Sequence, residues 1–209
     1  MKKATFLKFS IITFSFLLIS CGGVRQLSFY TLSTPETQTT NGSAYTESPF
    51  VIGLQKLDGG VLYTDDRIIF RENEFEIKYW HYHRWVAAPN ALATDALRDF
   101  LIKRKTFADV VTFPSADRVS YVISGRLLAF EEVDINGEWF GKAAVQLTLK
   151  EPGQEAVIWK GAFEQLTKVE LKQPESVVAA VNASLHKCFE AAVAELKPAL
   201  NQHSPQPNG

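Results

Sequence analysis

The sequence predicts a single α+β domain: a mixed, mainly antiparallel sheet with two helices packed on it and a long β-hairpin. Three observations carry that expectation. Apolar residues recur with period two from Asp117 to Glu170, they recur at three-and-four spacing behind Pro89 and Pro174, and a lysine-flanked apolar leader precedes both patterns without sharing either. The folded domain is therefore expected over residues 27–200, with a loop at 33–48 and a flexible, proline-containing tail at 201–209.

The leader runs from Met1 to Ser20. Lys2, Lys3 and Lys8 stand near its start, no acidic residue interrupts it, and Phe6 to Ile19 is apolar except for Lys8, Ser10, Thr13 and Ser15. Such a run is shorter than the span of about 20 residues a bilayer crossing needs, and it reads as a secretory signal at 1–20. It ends in Leu18-Ile19-Ser20-Cys21, the pattern of a bacterial lipobox, in which cleavage precedes the cysteine and lipid is added to it. Cys21 is the expected lipidation site, and 21–26 the lipidated N-terminus. Gly22 and Gly23 follow in place of the aspartate that retains lipoproteins on the inner membrane, so the expected location is the outer membrane, facing the periplasm.

Without the signal the chain keeps 19 basic against 23 acidic residues, a net charge of −4. That balance argues against nucleic acid as a partner and leaves the membrane to the lipid anchor. With Cys21 acylated, Cys188 has no disulfide partner and is expected as a buried, unreactive thiol on a helix face.

In chain order, Gln26 to Leu32 is β-favouring and reads as a first strand, and Phe50 to Leu57 as a second. Asp58-Gly59-Gly60 is a turn; Asp66 to Arg71 and Glu74 to Trp80 suggest a hairpin, with Phe75, Ile77 and Tyr79 on its apolar face. The aromatic stretch Tyr79 to Trp85 leads to a helix opening near Pro89 with Leu92, Ala96, Leu97, Phe100 and Leu101 inward. Asn136-Gly137 supplies the two positive-φ positions of a type I′ turn and joins Val119–Ile135 to Glu138–Lys150. Pro152-Gly153 turns into Ala156–Val169. The last helix, Pro174 to Ala199, has Val177, Val181, Leu185, Cys188, Phe189, Ala192 and Leu196 as its buried stripe and Glu175, Asn182, Lys187, Glu190 and Glu195 outward.

Motifs for chemistry are missing from this pattern. There is no Gly-x-Ser-x-Gly elbow, no phosphate-cradling glycine loop and no His-Glu-x-x-His, so no catalytic residue and no cofactor is assigned. His81 and His83 share a strand face, but no nearby cysteine or carboxylate run completes a metal site.

Order and identity of the elements resemble the ABC-type transport auxiliary lipoproteins, of the paraquat-inducible lipoprotein kind. The residues that carry the resemblance are Tyr30 and Leu32 soon after the lipidated cysteine, Leu62-Tyr63, the bracketed strand Arg67-Ile68-Ile69-Phe70-Arg71, and Arg84-Trp85 at the head of a helix. It covers about Leu27 to Leu196; Asp58-Gly59-Gly60 stands where a proline-containing turn is expected. The resemblance implies a non-enzymatic part of a lipid-moving machine, with an MCE-domain protein as partner, an inner-membrane ABC permease and ATPase behind it, and a homo-oligomeric ring as a possible form. Competing expectations are a lipoprotein that carries a hydrophobic ligand itself and an envelope-assembly factor.

Candidate partner contacts fall in three places. Glu131, Glu132, Asp134 and Glu138 beside Trp139 and Phe140 form either a docking knob at the hairpin tip or a solvated turn with its aromatics folded onto the sheet. Trp80 belongs either to a surface aromatic patch or to strand–helix packing, and Arg67 and Arg71 are either partner contacts or solvated edge charges.

Overall fold

The computed structural model describes residues 26–33 and 48–203. The signal at 1–20, Cys21, nearly all of the 33–48 loop and residues 204–209 of the tail lie outside the described residues.

The order of elements is β1 (Ser28–Tyr30), β2 (Ser48–Leu54), β3 (Arg67–Arg71), β4 (Lys78–Trp85), α1 (Pro89–Lys103), β5 (Phe107–Thr112), β6 (Tyr121–Ile135), β7 (Glu138–Lys150), β8 (Val157–Lys168) and α2 (Pro174–His203). One sheet takes in all eight strands, and β6 is its spine. At about 3.3 Å per residue this strand is about 50 Å long, long enough to hold two strands in succession on one edge. β2 lies parallel to its first residues, Tyr121 to Ile123, and β3 lies parallel to Glu131 to Val133. Asp58 fills the gap between them: its N–H donates to Gly125 O at 2.9 Å and its carbonyl accepts from Leu127 N at 2.8 Å. The other edge of β6 is taken by β7, which in turn pairs antiparallel with β8.

Two expectations about the sheet change. Four of its seven strand pairings are parallel, so the sheet is mixed and not mainly antiparallel. Hairpin turns announce only pairings between neighbours in sequence, and the parallel pairs here join strands separated by crossovers that leave no turn signature. Nor does the Asn136–Gly137 hairpin stand apart as a long arm. β6 and β7 meet in the expected register, Asp134 opposite Trp139, but both are flanked by other strands and lie inside the sheet. Its excess length is absorbed by a register shift between Leu127 and Ala129.

Other differences are local. Phe75 is 93% exposed, because β4 begins only at Lys78 and residues 72–77 form the connecting loop. Strand β5 was not anticipated, and α2 runs past Pro198 to His203, taking in the start of the expected tail. Asn182 is buried on α2, where its Nδ2 donates to Ser33 Oγ at 3.4 Å.

One core joins both helices to the sheet. The tilted rings of Trp85 and Phe130 meet at 4.8 Å, and Phe100 of α1 meets Phe189 of α2 at 5.6 Å. Helix α2 is apolar and long enough to cross a membrane, yet 61% of its most apolar window is buried inside the fold. Its whole expected stripe, from Val177 to Leu196, lies in that core. The close approach of α2 to β7 requires Gly141, where an added Cβ would stand 2.2 Å from Val181 N. The Asp58-Gly59-Gly60 turn has its own reason for two glycines: a Cβ on Gly59 would stand 2.6 Å from Tyr63 O, and Gly60 has φ +55°.

Candidate functional site

At the end of the sheet where α2 begins, β4 and the β6–β7 turn bound an open groove of about 550 Å³. Strand alternation builds it. Phe130, Glu132 and Asp134 take turns along β6, so the face that buries Phe130 in the core carries two carboxyl groups as it leaves the core. Asp134 opposes Trp139 across the two-residue turn, which brings an indole to the same place from β7. From β4 comes Trp80.

The aromatic walls meet edge to face, the arrangement that ring quadrupoles favour. Trp80 lies 6.2 Å from Trp139 and 6.3 Å from Phe70, both near perpendicular, and 5.2 Å from the His83 ring. Trp80 Nε1 donates to Glu132 Oε2 at 3.1 Å. Glu132 is only 3% exposed, and burial pushes its carboxyl up to about 7, against the opposing pull of the Trp80 hydrogen bond. Asp134 Oδ1 accepts from Gly137 N at 2.6 Å and so fastens the turn. Lys172 closes the rim: its Nζ donates to Gly137 O at 2.7 Å and stands 5.1 Å from the Trp139 ring centroid.

The groove is further tied to β1 and α2. The Tyr30 hydroxyl lies 2.9 Å from His83 Nδ1 and donates to Glu175 Oε1 at 3.0 Å. Thus Tyr30, first noted as a strand residue after the anchor, links three elements.

Of the residues nominated from sequence, Trp80, Glu132, Asp134 and Trp139 come together here. The other three do not. Half-buried Arg71 pairs with buried Glu131, its Nε donating to Oε1 at 2.9 Å, while Tyr63 O–H donates to the other oxygen at 2.9 Å. Arg67 is bound to Asp65, with Nε 2.8 Å from Oδ2, and lies 3.8 Å over the Tyr79 ring. Phe140 pairs with Val133, one position out of step with Trp139, and so points to the other face. Glu131 and Glu132 are therefore no part of a solvated knob; both are buried.

Sequence reasoning missed Phe70 and Lys172 as groove residues. Phe70 comes from β3 only because that strand pairs with β4 and β6 together. Burial of Glu132 had a signal, its two-residue step from Phe130. His81 and His83 lie on the groove, and among the described residues no group of three or more His, Cys, Asp or Glu could hold a metal ion. Cys188 is buried beside Ala143 O at 3.4 Å, its thiol pushed up to about 12 by burial.

Residues 30–193 match the family model described as the ABC-type transport auxiliary lipoprotein component. None of the curated proteins matches the chain. Among solved structures, a protein from Xanthomonas campestris of the family DUF330 superposes with a TM-score of 0.72 at 15% identity, covering 84% of this chain and 98% of that one. An uncharacterised protein superposes with a TM-score of 0.64 at 10% identity, covering 82% of this chain and 99% of that one. At such identities the likeness is one of fold.

Proposed function

Since the chain belongs to the family of ABC-type transport auxiliary lipoprotein components, we propose that it acts as an outer-membrane lipoprotein and a non-enzymatic auxiliary part of an ABC/MCE-type transporter that moves lipids or other hydrophobic molecules across the envelope. The observation that carries this reading is the span of the family match, which takes in everything from Tyr30 on β1 to Val193 on α2 and thus the whole groove. Leu18-Ile19-Ser20-Cys21 supports acylation at Cys21, and Gly22 supports transfer to the outer membrane, with the domain in the periplasm. An MCE-domain protein is the proposed partner, with the inner-membrane permease and ATPase behind it, and a homo-oligomer of this chain is the proposed docking form. The proposed contact surface is the rim around Trp80 and Trp139, with Glu132 and Asp134 between them.

The test is photo-crosslinking in intact cells from positions 80 and 139. Recovery of an MCE-domain protein is the expected result. Capture of lipid with no protein partner at either position would overturn the adaptor role in favour of a lipoprotein that carries the ligand itself. For the anchor, Cys21→Ala is expected to release the processed chain from the membrane; a variant that stays bound after cleavage of the signal would refute lipid anchoring.

A further inference from the structure

The groove has the chemistry of a cation site without the donors of a metal site. Its walls are ring faces and edges from Phe70, Trp80, Tyr82 and Trp139, and its carboxyl groups come from Glu72, Glu132 and Asp134. No lysine or arginine lines it among the described residues. Glu132 is 3% exposed, accepts from the Trp80 indole through Oε2 and lines the groove. Two lysines stand at the rim and each sits near a wall ring: Lys172 at 5.1 Å from Trp139 and Lys78, paired with Glu72 at 2.6 Å, at 6.0 Å from Phe70. These rings already attract ammonium groups from outside the groove.

We propose that the Trp80–Trp139 groove binds an organic ammonium group, held on the indole faces with Glu132 and Asp134 as its countercharges. A hard inorganic cation needs a closed set of oxygens, whereas a bulky alkylammonium is served by ring quadrupoles and a diffuse negative charge. The volume of about 550 Å³ falls in the range of small-molecule sites and exceeds what a bare ion fills. Such a group can arrive as a free amine or as the headgroup of an aminolipid. The second source would deepen the transport reading by naming a cargo class, and in that part the inference rests on that reading; binding itself needs no transporter.

Affinity should rise with pH through about 7, because ionised Glu132 is the better countercharge and its carboxyl titrates there. The other groups facing the site are Glu72, Asp134, His81 and His83, with Lys172 and Lys78 at the rim. Glu132→Gln separates the carboxyl's share from that of the other groups.

The experiment titrates the full chain, in dodecyl maltoside micelles, with choline and with neohexyl alcohol, its neutral isostere, and follows tryptophan emission. At about pH 8 a saturable change is expected with choline alone, weakened at least about tenfold in Glu132→Gln and in Trp139→Leu. Far-UV circular dichroism and thermal unfolding confirm that each variant is folded. Competition by dihexanoyl phosphatidylethanolamine, and none by dihexanoyl phosphatidylglycerol, would assign the headgroup source; choline binding without lipid competition would assign a free amine. Equal binding of the alcohol, equal competition by both lipids, an unchanged affinity in folded Glu132→Gln, or no saturable change would overturn the inference. Because no transporter component is present, these results are independent of the crosslinking outcome.

Discussion

Glu131 and Glu132 are consecutive residues of β6, both buried, and they answer to opposite sides of the sheet. Glu131 is held by Arg71 and Tyr63; Glu132 is held by Trp80. The first is a neutralised joint between β3, β6 and the segment that connects β2 to β3. Replacing Arg71 by leucine leaves a carboxylate in the interior with one hydroxyl donor, so the variant should lose about 3 kcal/mol of stability. Tyr63→Phe removes only the hydroxyl and should lose about 1 to 2 kcal/mol. Urea unfolding checks both, and equal small losses would mean that water already reaches Glu131.

Glu132 makes stability depend on pH. Its carboxyl is raised from an ordinary 4.5 to about 7 by burial, so between these values the folded chain holds a proton that the unfolded chain has lost. The stabilising contribution is complete below 4.5 and is lost as pH rises through about 7, amounting to at most about 3 kcal/mol. Glu132→Gln should flatten this part of the profile, and above about pH 7 it should be at least as stable as the parent chain. Thermal unfolding across the window decides, and a variant with the parent's slope would clear Glu132 of the effect.

Local rules reached far into this fold. Three-and-four spacing put every residue of the Val177–Leu196 stripe in the core, and Asn136-Gly137 set the pairing of Asp134 with Trp139 correctly. They stopped where partners are distant in sequence. Nothing near Phe70 says that β3 will lie parallel to β6, and without that pairing neither the groove wall nor the Arg71–Glu131 joint can be derived. Asn182 failed for a related reason. Helix periodicity placed it outward, but the residues after β1 return to cover it through Ser33. Charge alone leaves a docking knob or a solvated turn for the acids before the hairpin turn, whereas the two-residue step from Phe130 places Glu132 indoors.

Gly141 should tolerate no side chain. A Cβ there meets Val181 N at 2.2 Å and the Ala180 carbonyl carbon at 2.4 Å, both backbone atoms that no rotamer change can move. Gly141→Ala must lift α2 from β7, strain Ser184, whose Oγ donates to Gly141 O at 2.7 Å, and lose about 3 kcal/mol. Gly137→Ala is the comparison: φ is +82° there, but no atom lies within 4 Å of the added carbon, so the loss should be about 1 kcal/mol. Chemical denaturation of both variants tests the ordering, and a Gly141 variant no worse than the Gly137 one would show that α2 slides freely on the sheet.

Cys188 should be chemically silent until the fold opens. It is fully buried on α2 against β7 and β8, its Sγ donating to Ala143 O at 3.4 Å and 3.6 Å from Phe163 O, and burial pushes the thiol up to about 12. The thiolate is the reactive form, so both access and ionisation protect it at neutral pH. Labelling by a thiol-specific disulfide reagent should therefore follow the unfolding transition in urea, with no reaction in native buffer. Rapid native labelling would require α2 to part from the β7–β8 surface while the rest of the sheet stays folded. That opening should be promoted by Gly141→Ala, which loosens the same contact two strand residues away from Ala143, so the labelling rate of that variant reports the helix's motion directly.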